Sequence, residues 1–482
     1  MRKGLNLILF GFSAAVVCAA QPSVPGALSV SEQNEEHREF FRTRATLHQA
    51  EAPVGVTAVV DASERHQVID GFGASLAYTA QNITEELADL FFDPDRGIGL
   101  SLARIRINFR NTDEEGNITP NSWERRAALL AQERGAAVWA SPWSAHGSLK
   151  EGNPTGDHLH RGGRLRPDAF ATYAQNLVDF VRWANEQGLK LVAISPQNEP
   201  DYRFGNNESM DWTASELLGF ITNHFRPALN AAGYGDLPIV APELMDWHRQ
   251  SGWQGFYNHA ETGILAFHNY DWAFDFFRNG NDTRFPAPVN TDKRIWMTEI
   301  SDVFSGQSDT DTIEDALIWA KHIHRVIVEA SGSAWHWWWL VPPEHGRSNN
   351  ETLVNSRNGV IEQNGNVIGD GLPHMLKRGW MIGQFARFVR PGDVRVEITP
   401  ASDGPLRLAA FAGEDRLVVV AIHEGNEALP LRLEGLPPDI HRVHAWITSE
   451  EKNLAHQGQM PLSRPELELS LPQTSIVTLV FE

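Results

Sequence analysis

Apolar and polar positions change rhythm along this chain. Between about residues 56 and 390, short apolar runs alternate with longer stretches whose apolar residues recur every three to four positions. The short runs predict strands at Val68–Gly73, Leu100–Ile107, Ala137–Ser141, Leu191–Ser195, Pro238–Ala241, Ile264–His268, Arg294–Thr298 and Ala334–Leu340. The longer stretches, such as AFATYAQNLVDFVRWANEQG and TIEDALIWAKHIHRVIVEA, predict amphipathic helices, stopped by Gly188 and by Ser331-Gly332-Ser333. Eight strands alternating with helices predict an α/β fold, a (β/α)8 TIM barrel over 56–390. Past Pro391-Gly392 the helical spacing disappears. VRVEITP, LRLAAFAG, RLVVVAIHEG, LPLRLEGL, HRVHAWITSE and SIVTLVFE are short runs divided by turn residues. They predict an antiparallel β-sandwich side domain over 391–482, to which VTAVVDAS (within 56–66) is placed to add a strand.

The first residues follow a different logic. Arg2 and Lys3, then the apolar run Leu5 to Val17, then Cys18-Ala19-Ala20, predict a signal peptide over 1–20, followed by a polar extension over 21–55. The expected product is secreted. Cys18 is the sole cysteine and lies in the leader, so the mature chain is expected to have no disulfide; bulky Val17 beside it argues against lipid anchoring. No later run is apolar for ~18 residues, so no membrane span is expected. With 41 basic against 61 acidic residues the net charge is −20, a field that repels nucleic acid and anionic membranes. Tryptophan (16) outnumbers tyrosine (6); flat indoles stack on the C–H faces of sugars, although a Trp-rich core explains the count equally well.

In a parallel barrel, chemistry sits at the carboxyl ends of the strands. Those ends carry Arg104, Trp143, Asn198, Glu199, His268, Tyr270, Glu299 and Trp338, with Trp337 the neighbouring alternative to Trp338. Glu199 and Glu299 are carboxylates beyond the fourth predicted strand and at the tip of the seventh. A single strand-end Glu is more often solvated or salt-bridged. Two on separate strands are what glycosidic hydrolysis needs: one to protonate the leaving oxygen, one to attack the anomeric carbon or activate water. Other features read as packing. His322 and His324, two apart in a helix, point in different directions, and GFGAS (Gly71–Ser75) lacks the Lys-Ser/Thr of a phosphate loop. No metal and no cofactor are expected.

VIDGFG, ASPWS, SPQNEPDY, IWMTE, HIHRVIVEA, KRGWMIGQFARFVRPG and AWITS, in this order from about residue 56 onward, resemble glycoside hydrolase family 30, most closely its bacterial xylanase branch. The resemblance implies a retaining double displacement with Glu199 as general acid/base and Glu299 as nucleophile. It further implies Asn198 as donor to the sugar 2-hydroxyl, Arg104 and Tyr270 as groups holding the nucleophile, and His268, Trp143 and Trp338 as walls of the subsite. One departure bears on substrate. Glucuronoxylan-specific relatives follow the last aromatic strand with an arginine pair, where this chain has Val341-Pro342-Pro343; Arg347 and Arg357 lie further on, and Ser301 replaces an aromatic two residues past Glu299. The expected partner is a polysaccharide or oligosaccharide, foremost β-1,4-xylan. The alternatives are a β-1,6-linked glucan or galactan, exo-release of xylo-oligosaccharides, and carbohydrate binding without catalysis.

Overall fold

The computed structural model describes residues 55–109, 122–151, 162–202, 208–284, 289–305, 311–342, 351–355, 360–361, 367–368, 374–462 and 464–482. The expected signal peptide, Cys18, the N-terminal extension up to residue 54, Arg347 and Arg357 lie outside these residues.

Among the described residues, eight strands precede residue 340: β1 (Val56–Val68), β2 (Gly71–Ser75), β3 (Leu102–Ile107), β4 (Ala137–Pro142), β5 (Leu191–Ile194), β6 (Ile264–His268), β7 (Arg294–Glu299) and β8 (Ala334–Trp339). Seven of them form one sheet in the order β5-β4-β3-β2-β8-β7-β6, with parallel pairing throughout. The gap between β5 and β6 is closed by Ile239 and Val240, which bridge in parallel to Ile194 and Ile264. The (β/α)8 expectation therefore holds, with two corrections of detail. The fifth stave, predicted over Pro238–Ala241, is only these two bridged residues; Pro238 and Pro242 flank it and have no amide to donate to a ladder. The first barrel strand starts at Gly71 and not at Val68, because Val68 ends β1, which belongs to the other sheet.

Alternation along the staves separates two environments. Leu102, Trp139, Ala193, Val240, Ile264, Ala266, Trp296 and Ala334 fill the barrel floor as one cluster. Two residues further along their strands stand Arg104, Ser141, Ser195, His268 and His336, all fully buried and polar. The intervening residues, among them Ala103, Ile105, Val138, Ala140, Leu265, Phe267, Met297 and Trp335, pack against the helices. Gly73 admits β2 to this arrangement: a Cβ there would stand 2.6 Å from the Leu102 carbonyl oxygen and 2.7 Å from the His336 ring. Gly73→Ala is expected to destabilise the protein by ~1–3 kcal/mol through overpacking, read as a lowered urea midpoint.

The helix Phe170–Glu186 buries Tyr173, Ala174, Leu177, Val178, Phe180, Val181 and Ala184 on one face, and Gly188 beyond it takes a left-handed conformation (φ +84°). Ile313–His324 starts at Thr312, whose hydroxyl accepts from the Asp315 amide. His322 and His324 near its end turn to different partners. Trp335 Nε1 donates to His322 Nδ1 at 2.9 Å, and His324 Nε2 lies 3.0 Å from the Leu408 carbonyl. Burial lowers the two rings to about 3 and about 4, so both are neutral packing groups.

The second sheet runs continuously through Ala455–Pro461, Arg442–Thr448, Ser475–Phe481, Leu417–His423, Leu406–Ala412, Val394–Thr399, β1, Leu429–Glu434 and Glu466–Leu471. Val443 and Ala445 from one end share a core with Leu431, Leu467 and Leu471 from the other, so the sheet is folded over into two layers. The sandwich is mostly antiparallel, the exception being β1, which pairs in parallel with Leu429–Glu434. The outer face of the Leu417–His423 and Ser475–Phe481 strands (Val418, Val420, Ile422, Ile476, Val480) joins the core of the barrel helices. Leu417–His423 is consequently buried on both faces, which explains a run of apolar residues without alternation. Gln384 on the last barrel helix ties the two halves through Thr448 (2.9 Å) and Thr478 (2.7 Å). Among the described residues no helix is long and apolar enough to cross a membrane.

Candidate active site

Local backbone geometry brings the two predicted carboxyls to the barrel mouth. On β7, Trp296 points inward and Met297 outward, so simple alternation would aim Glu299 at the helices. The register corrects this. Phe267 pairs with Met297 and His268 with Glu299, which leaves Thr298 as an extra, bulged residue and turns Glu299 into the lumen. Past β5, the Ser195 and Asn198 amides still bond to the Ala140 and Pro142 carbonyls of β4, each at 2.8 Å. Glu199 then takes a left-handed φ of +47°, and its amide donates to the Glu243 carbonyl at 3.0 Å. Glu243 is itself left-handed at φ +57°. Such conformations are costly for residues with a side chain and persist where the surroundings hold them.

One oxygen of Glu199, one ring nitrogen of His268 and one oxygen of Glu299 lie within 4.8 Å of one another. Tyr270 donates to Glu299 Oε1 at 2.9 Å and Arg104 to Glu299 Oε2 at 2.5 Å. Burial, the largest cause, and Glu199 hold the Glu299 carboxyl above the ordinary carboxylate range, with His268 and Arg104 pulling against them. Donors on both oxygens favour its ionised form. Arg104 also donates to Asn198 Oδ1 at 2.5 Å, which fixes that amide so that its NH2 is turned away from the guanidinium. His268 Nδ1 lies 2.9 Å from Glu199 Oε1. Burial pulls the His268 ring down, but Glu299, Glu199 and Glu243 around it more than reverse this and raise it to about 9. A second His–carboxylate group of similar tightness, the more open Glu64–His66–Glu397, lies on the side domain.

Aromatic walls complete the site. Trp143 and Trp338 stand 5.7 Å apart, and Tyr78 meets them edge-on at 5.7 and 6.3 Å. The Arg104 guanidinium lies 4.5 Å over the Trp143 ring. The choice between Trp337 and Trp338 is decided by position. Trp337 is fully buried on the helix side, 4.8 Å from Trp319, and Trp338 joins the Trp143 cluster. Behind Tyr78, its hydroxyl donates to Glu208 (3.1 Å) and Arg106 stacks on its ring (4.2 Å).

All eight predicted site residues thus converge. The strand-end reading missed Glu243, which lies two residues past the fifth predicted strand and is completely buried. Arg104 donates to Glu243 Oε1 at 2.6 Å and Ser141 to its Oε2 at 2.8 Å. Tyr78, on a left-handed loop after β2 (φ +63°), carried no signal in the sequence.

Barrel, paired carboxyls and indole walls are the apparatus of an O-glycoside hydrolase, and comparison with known proteins gives the same class. More closely, residues 71–242 match the model of the glycosyl hydrolase family 30 TIM-barrel domain. It is 29% identical over 434 residues to glucuronoxylanase XynC of Bacillus subtilis (strain 168), covering 87% of this chain and 90% of that one. A family 30 endoxylanase from Clostridium papyrosolvens superposes with a TM-score of 0.67 at 27% identity, covering 89% of this chain and all (100%) of the other. An endo-1,6-β-D-glucanase of Trichoderma harzianum matches over 204 residues at 28% identity, 38% of this chain and 39% of its own length.

Proposed function

We propose that the protein is a secreted, retaining xylanase that cleaves β-1,4-xylan by double displacement. One observation carries the reading: Glu199 and Glu299 oxygens within 4.8 Å of each other. Retaining enzymes hold their carboxyls ~5 Å apart, whereas inverting ones need ~6.5–9.5 Å to admit a water. Glu299, ionised between Arg104 and Tyr270, attacks the anomeric carbon. As the C1–O bond breaks, its electron pair goes to the leaving oxygen, which takes the proton of Glu199. Water then attacks C1, Glu199 accepts its proton, and the Glu299 ester is released. The Asn198 NH2, directed away from Arg104, donates to the 2-hydroxyl, and Trp143 and Trp338 flank the sugar. Xylan as substrate is supported by similarity to the two xylan-degrading relatives. Val341-Pro342 after β8 supplies no arginine fork there, so unsubstituted xylan is expected to be cut as well as glucuronoxylan.

Product anomers followed by NMR test the mechanism: β-configured ends must appear first, and α-configured ends would refute it. Glu199→Ala is expected to lose ~10²–10⁴-fold on xylan, and far less on an aryl xyloside whose leaving group needs no proton. Added azide should restore turnover of the variant and give a β-glycosyl azide. A second reading, cleavage of a β-1,6-glucan, is favoured by the match to the Trichoderma glucanase. Products from glucuronoxylan, unsubstituted xylan and β-1,6-glucan, compared side by side, separate the two.

A further inference from the structure

The double displacement needs one proton on Glu199 and none on Glu299, and three carboxyls, two of them buried, stand around the His268 ring. Glu243 is the third, and its side chain is completely buried, whereas Glu199 is partly exposed. Around Glu243 stand Arg104 on β3 (2.6 Å), Ser141 on β4 (2.8 Å) and, on β6, His268, whose Nε2 lies 3.7 Å from Glu243 Oε1. That nitrogen has no hydrogen-bond partner among the described residues, so Glu243 is its charged neighbour. The other nitrogen, Nδ1, faces Glu199 at 2.9 Å and Glu299 at 3.9 Å.

The other groups facing this cluster do not alter its charge. His336 on β8 has Nδ1 3.0 Å from the Met297 carbonyl and accepts from Trp139 at Nε2, which fixes it neutral. Tyr270 is a hydroxyl donor whose own ionisation is suppressed by burial. What is left among the described residues is two cations, Arg104 and His268, against three carboxyls, Glu199, Glu243 and Glu299. Such a set is neutral when the carboxyls share one proton. Glu243 receives donors from Arg104 and Ser141, and Glu299 from Arg104 and Tyr270. The proton falls to Glu199, whose Oε1 takes the His268 N–H, so that it sits on Oε2.

We propose that Glu243 is a positioning residue for acid catalysis: its fixed negative charge keeps His268 an imidazolium, so that the Glu199–Glu299 pair holds a single proton and Glu199 carries it. This rests on the double-displacement reading. The set stays neutral through the first step, because Glu299 loses its charge to the new bond as Glu199 gains one. At Glu243 the electrostatics agree in direction. Burial pushes the Glu243 carboxyl up, and Arg104 and His268 more than reverse it, holding it below the ordinary carboxylate range.

Glu243→Gln keeps the shape and removes the charge. With one anion fewer, the cluster gives up its protons more readily, so the alkaline limb of kcat/KM on xylan should move to lower pH by about one unit or more. The loss at neutral pH should be smaller on an aryl xyloside with a good leaving group than on xylan, and Glu243→Asp should move the limb back. An unshifted limb, or an equal loss on both substrates at every pH, would overturn the proposal. The parent enzyme offers an independent check should the variant fold poorly: 15N NMR of the His268 ring must show an imidazolium at about pH 7, and a neutral ring there sinks the idea. Failure of the underlying reading looks different, since Glu199→Ala would then hydrolyse xylan at the parental rate.

Discussion

Glu299→Gln is expected to lower kcat on xylan by ~10⁴-fold or more, about 5 kcal/mol of transition-state stabilisation, while KM changes little. The amide has nearly the shape of the carboxylate and retains an oxygen for Arg104 or Tyr270, so the thermal midpoint should stay close to the parent's. The direction of azide rescue makes the assignment specific. Glu299→Ala opens space on the α face, and azide entering there yields an α-glycosyl azide, the opposite of the β product expected from Glu199→Ala. A variant that turned over xylan as fast as the parent, or a β-azide from Glu299→Ala, would remove Glu299 from the nucleophile's role.

Arg104→Leu is expected to be the most damaging single change to stability. Arg104 is fully buried and donates to Glu299, Glu243 and Asn198 at once. Deleting one partner of a buried ion pair leaves an uncompensated charge and typically costs about 3–5 kcal/mol. The loss has a pH signature. Without the guanidinium, Glu243 and Glu299 titrate higher in the folded chain than in the unfolded one, so the folded state binds more protons. Stability then falls as pH rises through the carboxylate range, and the deficit against the parent should be larger at about pH 7 than at about pH 4. Urea unfolding at both values checks this; an equal deficit would mean that lost packing, not stranded charge, dominates. Arg104→Lys should rescue little, since one ammonium cannot replace a planar fork reaching three acceptors.

The outline of the fold was legible because alternation of short apolar runs with helical spacing is a robust signal, and the strands at Ile264–His268 and Leu191–Ile194 lie where that pattern puts them. Legibility failed where the backbone departs from its period. The fifth stave between Pro238 and Pro242 is too short to form a ladder, and the carboxyl just beyond it, Glu243, escaped the strand-end rule that picked out Glu199 and Glu299. Strand parity misleads at Glu299, because nothing in RIWMTE announces the bulge at Thr298. At the end of β8, Trp337 and Trp338 are chemically alike, and only their surroundings show that one packs on Trp319 and the other faces Trp143.

The placement of β1 has a kinetic side. Val56–Val68 leaves the ribosome well before its antiparallel partner, Val394–Thr399, which follows about 330 residues later. At roughly 5–20 residues per second, the strand waits on the order of a quarter of a minute to a minute with its amide and carbonyl edges unpaired. Such an edge is a template for joining the wrong chain. The barrel is thus sewn into the sandwich by the strand that precedes it, and an emerging chain has to be kept apart from its neighbours until Val394–Thr399 has followed.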